Sequence, residues 1–421
     1  MKSDLSIEKI YQQCVIGQLD KNSAFELLIS IIENDNETEI RVRSINFIEK
    51  LELKNERVYK TLENLLISDS ESTVRSAAAW IIIRDFIDEG LEALEWALEH
   101  DNSPRCVNNI IYHLKTMKKI SENEIKAILI NILKIIRESQ LIFDDCKYSE
   151  EIKPLFNDDI ITQWSLNKII ELFLNFKTLN FFNENFSGYY TAFIFEGLAI
   201  TLTLDNLDVK SLREFEGIEY LTKLESLSIW NTKISEICCL EKMEELNSLY
   251  IGESSITKIT GLNNLEKLEK LDLSNNQITE ISGLENLTNL EKLNLSGNQI
   301  KEINGLNNLN NLWELRLGEA GYENLTIPQN LISEIKGLDS LTNLYELYLS
   351  HNLITEIKGL EKLVNLNMLV LINNKITEIK GLDSNENLGL LNLSGNPIPE
   401  KEREKYKLYP YTDVRFDDLP K

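Results

Sequence analysis

The spacing of leucine and isoleucine divides the chain into two halves with different periods. In the C-terminal half a leucine opens a unit of 22 residues, and one interval alone is longer; the unit starts are Leu224, Leu246, Leu268, Leu290, Leu312, Leu344, Leu366 and Leu388. Alternation such as Leu271-Asp272-Leu273 predicts a short strand with one buried face, followed by a return segment on the same core. The period therefore predicts a solenoid whose stacked units share one apolar core.

These units resemble the short, 22-residue class of leucine-rich repeats over residues 212–397. The resemblance implies an α/β repeat solenoid, curved, with a parallel β-sheet on its concave face. An asparagine follows most strands, where a buried amide satisfies backbone groups of adjacent turns; it occurs at Asn276, Asn298, Asn330, Asn352, Asn374 and Asn396. Thr232 and Ser254 take this position in the first two units, so we expect a looser or wetter ladder at that end.

Residues 1–135 follow a helical period, with amphipathic runs separated by short polar breaks. Three segments, opening at Val42, Val74 and Arg105, each follow an acidic turn and resemble HEAT repeats. The resemblance implies an N-terminal HEAT-like α-solenoid in which aspartates and arginines bridge successive units, namely Asp35, Asp69, Asp101, Arg43, Arg75 and Arg105. Pro104 replaces the valine of the third copy, and an unclassified antiparallel helical bundle is the alternative.

Two further segments are predicted to close the ends of the leucine-rich region. Residues 136–211 combine a last helical run with an aromatic, β-prone stretch on both sides of Glu196-Gly197. This pattern predicts a connector whose β-hairpin caps the first unit. Residues 398–421 leave the repeat and are predicted to form a C-terminal cap.

Net charge and cysteine use narrow the partners and the compartment. The net charge of -24 disfavours nucleic acid and anionic membranes, because both would repel the chain, whereas a basic protein partner is compatible with it. The first residues lack the pattern of a secretory signal, and the five cysteines follow no CxxC spacing, so we expect a cytoplasmic protein with reduced thiols. The adjacent Cys238 and Cys239 are interpreted as small apolar filling.

No catalytic, cofactor or metal site can be assembled from the sequence. His100, His113 and His351 each lack a partner at ligand spacing. The recurring glycines fall in repeat turns and need no phosphate to explain them. We therefore expect a non-enzymatic protein without a cofactor.

Side chains expected to face outward from the sheet supply the candidate binding residues. Alternation directs the third, fifth and seventh positions of L-x-x-L-x-L-x to one face. Trp230 and Tyr250 form an aromatic site there, and Arg316 lies in a polar middle region. A contiguous solvent-exposed apolar patch over three neighbouring strands is predicted from Tyr348, Met368, Val370, Ile372 and Leu390. Such a patch indicates a protein partner, unless the C-terminal tail covers it or a second copy of the chain packs on it.

The single long interval, from Leu312 to Leu344, holds ten extra residues. The insertion presents Tyr322 as a further candidate contact, with neutral drift of a tolerated loop as the alternative. Together the features predict a cytoplasmic double solenoid, monomeric or homodimeric, that binds or scaffolds a protein on its concave face. Short-repeat regulators of this type suggest a regulatory subunit of a phosphatase or small GTPase as one alternative. A secreted surface adhesin is the second.

Overall fold

The computed structural model describes residues 7–138, 161–186, 188–195, 198–318, 329–406 and 412–416. The chain divides into two compact units between Asn183 and Glu184. This division falls inside the segment expected to act as a connector.

Helices make up the described part of the first unit, and the last of them extends past its boundary. In the described part they are α1 Ile7–Val15, α2 Lys21–Asn34, α3 Thr38–Leu51, α4 Glu56–Ser68, α5 Ser72–Asp85, α6 Ile87–His100, α7 Pro104–Met117, α8 Glu122–Glu138 and α9 Leu166–Phe186. Asp20, Asn55 and Ser103 cap three of these helices by accepting a hydrogen bond from a first-turn amide. Pro104 opens α7, where a missing N–H removes no helical hydrogen bond. The predicted helical repeat region is confirmed, and its assignment to HEAT repeats stays a prediction.

Ion pairs join the acidic turns to neighbouring helices. Arg75 Nε and Nη2 donate to the two carboxylate oxygens of Asp101 at 2.7 and 2.8 Å, as the repeat resemblance implied. Asp69, however, pairs with Arg41, and Arg43 pairs with Glu8 at the surface. Arg43 therefore links α3 to α1 rather than to an acidic turn. Residues two apart on a helix point about 200° apart, so Arg41 and Arg43 cannot both face the same turn.

The second unit is built on a sheet whose described strands, β1 to β11, lie side by side in chain order. β1 and β2 form an antiparallel hairpin, and every later neighbour is parallel. The strands are β1 Tyr190–Phe195, β2 Leu198–Asp205, β3 Ser226–Trp230, β4 Ser248–Gly252, β5 Lys270–Asp272, β6 Lys292–Asn294, β7 Glu314–Arg316, β8 Glu346–Tyr348, β9 Met368–Val370, β10 Leu390–Asn392 and β11 Asp413–Arg415. The predicted parallel-sheet solenoid is thus confirmed.

Equivalent residues of successive units lie opposite one another in the sheet. Leu271, Leu293 and Leu315 pair in register, and all three are buried. Stacking therefore turns one leucine per unit into a continuous apolar row, which is the reason that the period is kept so strictly.

A buried asparagine ladder ties the units together behind the strands. The Asn298 side chain is fully buried, and its Oδ1 accepts from the Ile278 amide at 2.9 Å. Its Nδ2 donates to Leu273 O and Leu295 O, at 2.9 and 3.0 Å. The amide therefore satisfies backbone groups of two successive units. In the first two units the ladder is replaced by a hydroxyl contact of 2.8 Å between Thr232 and Ser254.

Strands outside the repeats extend the sheet at both ends. β2 pairs with β3 over residues Thr201 to Asp205, so the hairpin lies against the first repeat strand. At the other end, β11 pairs with β10, and the short helix α10, Glu400–Tyr406, lies between them in the sequence. Each end strand therefore covers an edge that would otherwise expose unpaired backbone groups.

Candidate functional site

The side chains that point outward from β3 to β10 form a continuous surface, here called the sheet face. At its first end, Trp230 Nε1 donates to Ser228 Oγ at 2.8 Å. The indole ring lies against Gly252, its register partner on β4. A Cβ at Gly252 would come within 2.0 Å of Trp230 Cζ3, so only glycine leaves room for the ring. Trp230 is therefore held in place while remaining half-buried rather than enclosed.

A shallow cavity of about 170 Å³ lies on the sheet face next to this aromatic end. Its polar lining comes from Tyr250, Lys270, Asp272, Lys292, Asn294, Glu314 and Arg316. Here we call these residues the charged floor. The buried Glu314 carboxylate accepts from Lys292 Nζ at 2.7 Å and from Arg316 Nε at 2.6 Å. Burial alone would raise the pKa of Glu314, but the two cationic donors outweigh it and lower the pKa, so the Glu314 carboxylate stays ionised.

Two lysines lie side by side on the charged floor. Lys270 and Lys292 are register partners on β5 and β6. Lys292 pairs with Glu314, which is shared with Arg316, whereas no ion-pair partner of Lys270 is found among the described residues. Two like charges side by side disfavour a sheet pair, so an anionic group placed on Lys270 would relieve the repulsion.

The predicted exposed apolar patch is not exposed. Tyr348, Val370 and Ile372 are 7%, 3% and 1% accessible, and Met368 is partly buried against them. β9 ends at Val370, so the alternation that would point Ile372 outward no longer applies where that residue lies. The same position is buried in most other described units, as at Ser274, Ser296, Ser350 and Ser394, whereas Trp230 is half-buried there in the first unit. The expectation of a solvent-facing patch is therefore wrong, and a binding role for these residues stays untested.

Arg316 and Glu346 cover part of this cluster. The Arg316 guanidinium lies 4.5 Å from the centroid of the Tyr348 ring, and the Tyr348 hydroxyl donates to Glu346 at 2.7 Å. Burial, together with the Glu346 hydrogen bond, raises the pKa of Tyr348 to about 12, so its hydroxyl is neutral at physiological pH. Arg316 thus contacts both the buried cluster and the charged floor. Its own side chain remains partly accessible.

An acidic groove of about 510 Å³ runs beside the starts of β3 to β7. It is lined by Glu225, Glu245, Asn247, Lys267, Glu269, Asn289, Glu291 and Asn311. The sequence analysis missed this groove, although a signal was present, because Glu225, Glu269 and Glu291 each follow the first leucine of a unit. In the stack this position comes just before the start of each strand, so the carboxylates of successive units form a row there.

Tyr322 lies outside the described residues. Within the described ranges, no group of three or more histidine, cysteine or acidic side chains is close enough together to hold a metal ion. No helix in that same part of the chain is both long and apolar enough to cross a membrane.

One comparison with known proteins, the family match, agrees with the repeat architecture. The family described as leucine-rich repeats (2 copies) matches residues 244–286 and again residues 266–308. No curated protein matches the chain. Among solved structures, internalin C2 from Listeria monocytogenes is 29% identical over 45% of this chain and 78% of that one, with a TM-score of 0.39.

Two further solved structures show similar coverage of this chain. The functional domain of InlJ from Listeria monocytogenes is 24% identical over 48% of this chain and 45% of that one, with a TM-score of 0.35. The plant peptide hormone receptor RGFR1, solved in complex with RGF2, is 26% identical over 48% and 33%, with a TM-score of 0.37. Residues 244–308 thus match the leucine-rich repeat family, and the second unit is a parallel-strand β-solenoid with turns of about 22 residues that fits this repeat class.

Proposed function

We propose that this is a non-enzymatic recognition protein that binds a protein partner on the sheet face between β3 and β7. The observation that carries the proposal is the fixed indole of Trp230, held by Ser228 and Gly252 beside the half-buried Tyr250. Aromatic side chains of this kind supply much of the energy of protein interfaces. A ring already held in its binding position loses little conformational entropy on association, so more of its contact energy contributes to affinity.

Charged residues beside the aromatic pair favour a partner that carries both basic and acidic side chains. The acidic groove carries four glutamates and one lysine, so it favours basic side chains on the partner. Glu269 lines this groove, and the next residue, Lys270, offers a cation on the charged floor. A partner segment crossing from the groove to the floor would therefore place a basic group near Glu269 and an acidic group near Lys270.

Affinity capture with matched tyrosine variants tests this proposal. The bait proteins are the wild type, Trp230→Ala, Tyr250→Ala and the control Tyr345→Ala, whose exposed tyrosine precedes β8, away from the aromatic pair. We expect one set of proteins to be retained by wild type and by the control. Loss of an interface anchor costs at least about 2 kcal/mol, or about 30-fold in Kd, so Trp230→Ala should release that set.

A further variant tests whether the position of the Trp230 indole matters, and not only its presence. Gly252→Ala keeps the indole but displaces it, because the new Cβ would overlap the ring. We expect the same loss of partner from Gly252→Ala as from Trp230→Ala, with unchanged circular dichroism. Equal retention by wild type and by both of these folded variants would show that the partner does not bind this surface.

A further inference from the structure

Cys239 occupies a position that the other repeats reserve for glycine. The equivalent residues have backbone φ between +68° and +83° and are Gly261, Gly283, Gly305, Gly337, Gly359 and Gly381. Cys239 adopts the same left-handed conformation, with φ of +66°. A residue with a Cβ costs about 1–2 kcal/mol there, whereas glycine adopts it freely. Small apolar filling does not account for a strained residue at a site where glycine fits without strain.

The neighbouring residue supplies a second thiol within reach. Cys238 Sγ lies 3.4 Å from Cys239 Sγ, so both sulfurs are on the same side of the turn. Cys238 is buried, whereas Cys239 is more accessible. The left-handed turn at Cys239 therefore brings two adjacent thiols together, with one of them partly accessible from the surface.

We propose that Cys238 and Cys239 form a redox modification site that low-molecular-weight disulfides, such as glutathione disulfide, close into a vicinal disulfide. The Cys239 thiol loses its proton, and the thiolate attacks one glutathione sulfur and releases a glutathione thiolate. The Cys238 thiolate then attacks Cys239 Sγ in the mixed disulfide and displaces the second glutathione. Two protein thiols lose two protons and two electrons, and one glutathione disulfide becomes two molecules of glutathione. The inference does not depend on the proposed function.

The pKa of Cys239 sets the rate of disulfide formation at this site, and the spacing of the two Cα atoms sets its reversibility. Burial, with a contribution from Cys238, raises the pKa of Cys239 to about 12, so the thiol resists oxidation at neutral pH. The rate of closure should rise about tenfold per pH unit through the mildly alkaline range, because only the thiolate attacks. Adjacent Cα atoms lie about 3.8 Å apart, below the usual disulfide range, so the ring is strained and readily reduced.

Peptide mapping tests the proposal on the full chain. The protein is equilibrated at mildly alkaline pH with glutathione buffers from fully reduced to fully oxidised, quenched with acid, alkylated and digested with trypsin. Cleavage after Lys233 and Lys242 isolates peptide 234–242, which contains both thiols and no other cysteine. Under oxidising conditions we expect this peptide without alkyl groups and lighter by two hydrogen atoms. Under reducing conditions it should carry two alkyl groups.

Two variants make the outcome decisive. Cys238→Ser retains the accessible thiol alone and should accumulate the mixed disulfide with glutathione. Cys239→Gly restores the glycine of the other repeats, so it should fold with a higher unfolding temperature and show no closed peptide. The proposal is overturned if wild-type peptide 234–242 stays doubly alkylated in oxidised glutathione, or carries glutathione as the Cys238→Ser peptide does.

Discussion

At the scale of single residues, the asparagine ladder makes the strongest demand on side-chain identity. Asn298→Ala would leave the Ile278 amide and the Leu273 carbonyl without their buried partner. Each unsatisfied buried group costs about 1–3 kcal/mol, so we expect a loss of about 3 kcal/mol or more in the free energy of unfolding. Urea denaturation followed by circular dichroism measures this loss. Asn308→Ala removes a single exposed hydrogen bond to Glu285 O and should cost less than about 1 kcal/mol.

A second residue-scale prediction concerns Glu253. This residue has φ of +49° at a turn where other units place Asn275, Gly297 or Asn373, which tolerate the left-handed region better. Glu253→Gly should therefore raise the free energy of unfolding by about 1 kcal/mol. The same substitution at the exposed Glu269, whose φ is not positive, should lower it by about 0.5–1 kcal/mol. Equal effects of the two substitutions, measured by urea denaturation, would contradict the backbone explanation.

At the scale of elements, buried ion pairs fix how neighbouring helices of the first unit meet. The Arg75 and Asp101 side chains are 15% and 2% exposed, and Arg75 Nη1 also donates to Asp69 O. Arg75→Ala would leave the buried Asp101 carboxylate without its cation, a change that costs about 3–5 kcal/mol. Arg43→Ala breaks the exposed pair with Glu8 and should cost at most about 1 kcal/mol. Thermal unfolding followed at the helical signal compares the two, and similar losses would show that the Arg75 pair contributes no more than a surface pair.

The elements also show what the sequence could predict and why. The 22-residue period identified the strands because each unit must bury the same leucines against its neighbour, as Leu271, Leu293 and Leu315 do. The outward side of the sheet was harder to predict. Every described strand from β5 onward spans only three residues, so alternation says nothing about Ile372, which lies beyond the end of β9.

The accessible part of the candidate site follows from contacts between units rather than within one. Trp230 was predicted from its own strand, but its fixed position depends on Gly252 in the next unit. The burial of Tyr348 likewise depends on Arg316 from the preceding strand. The sequence of a single repeat predicts neither contact, because each joins residues of two neighbouring strands and depends on the register between them. The strain at Cys239 could have been found by comparing it with the glycines of the other units.

At the scale of the whole molecule, two electrostatic effects of opposite sign act as the pH falls. The net charge of -24 at neutral pH produces self-repulsion, which weakens as carboxylates are protonated towards the pI of about 4.7. Acid also protonates carboxylates that the folded state holds ionised. Burial alone would raise the pKa of Asp85, but Arg84 and Lys54 outweigh it and lower the pKa. Glu314 in the second unit is held low in the same way by Lys292 and Arg316.

These two effects together predict that thermal stability does not change in one direction only as the pH falls. A carboxylate whose pKa is lower in the folded state contributes stability above its unfolded value, 3.8 for Asp85 and 4.5 for Glu314, and loses it as the pH falls towards the folded value. The midpoint of thermal unfolding should therefore hold or rise slightly from pH 7 to pH 5, while repulsion weakens. Below about pH 4.5 it should fall, because the paired carboxylates then take up protons on unfolding.

Charge removal at one site distinguishes the local effect from the global one. Glu314→Gln should lower the unfolding midpoint at pH 7, because Lys292 and Arg316 lose their shared anion, and should make its decline below about pH 4.5 shallower. Glu280→Gln changes the net charge by the same amount at an exposed position, so it serves as the control for self-repulsion. Circular dichroism melts of both variants across this pH range measure the difference. If Glu314→Gln and Glu280→Gln show the same acid profile, net charge alone governs acid stability and the charged floor contributes nothing to it.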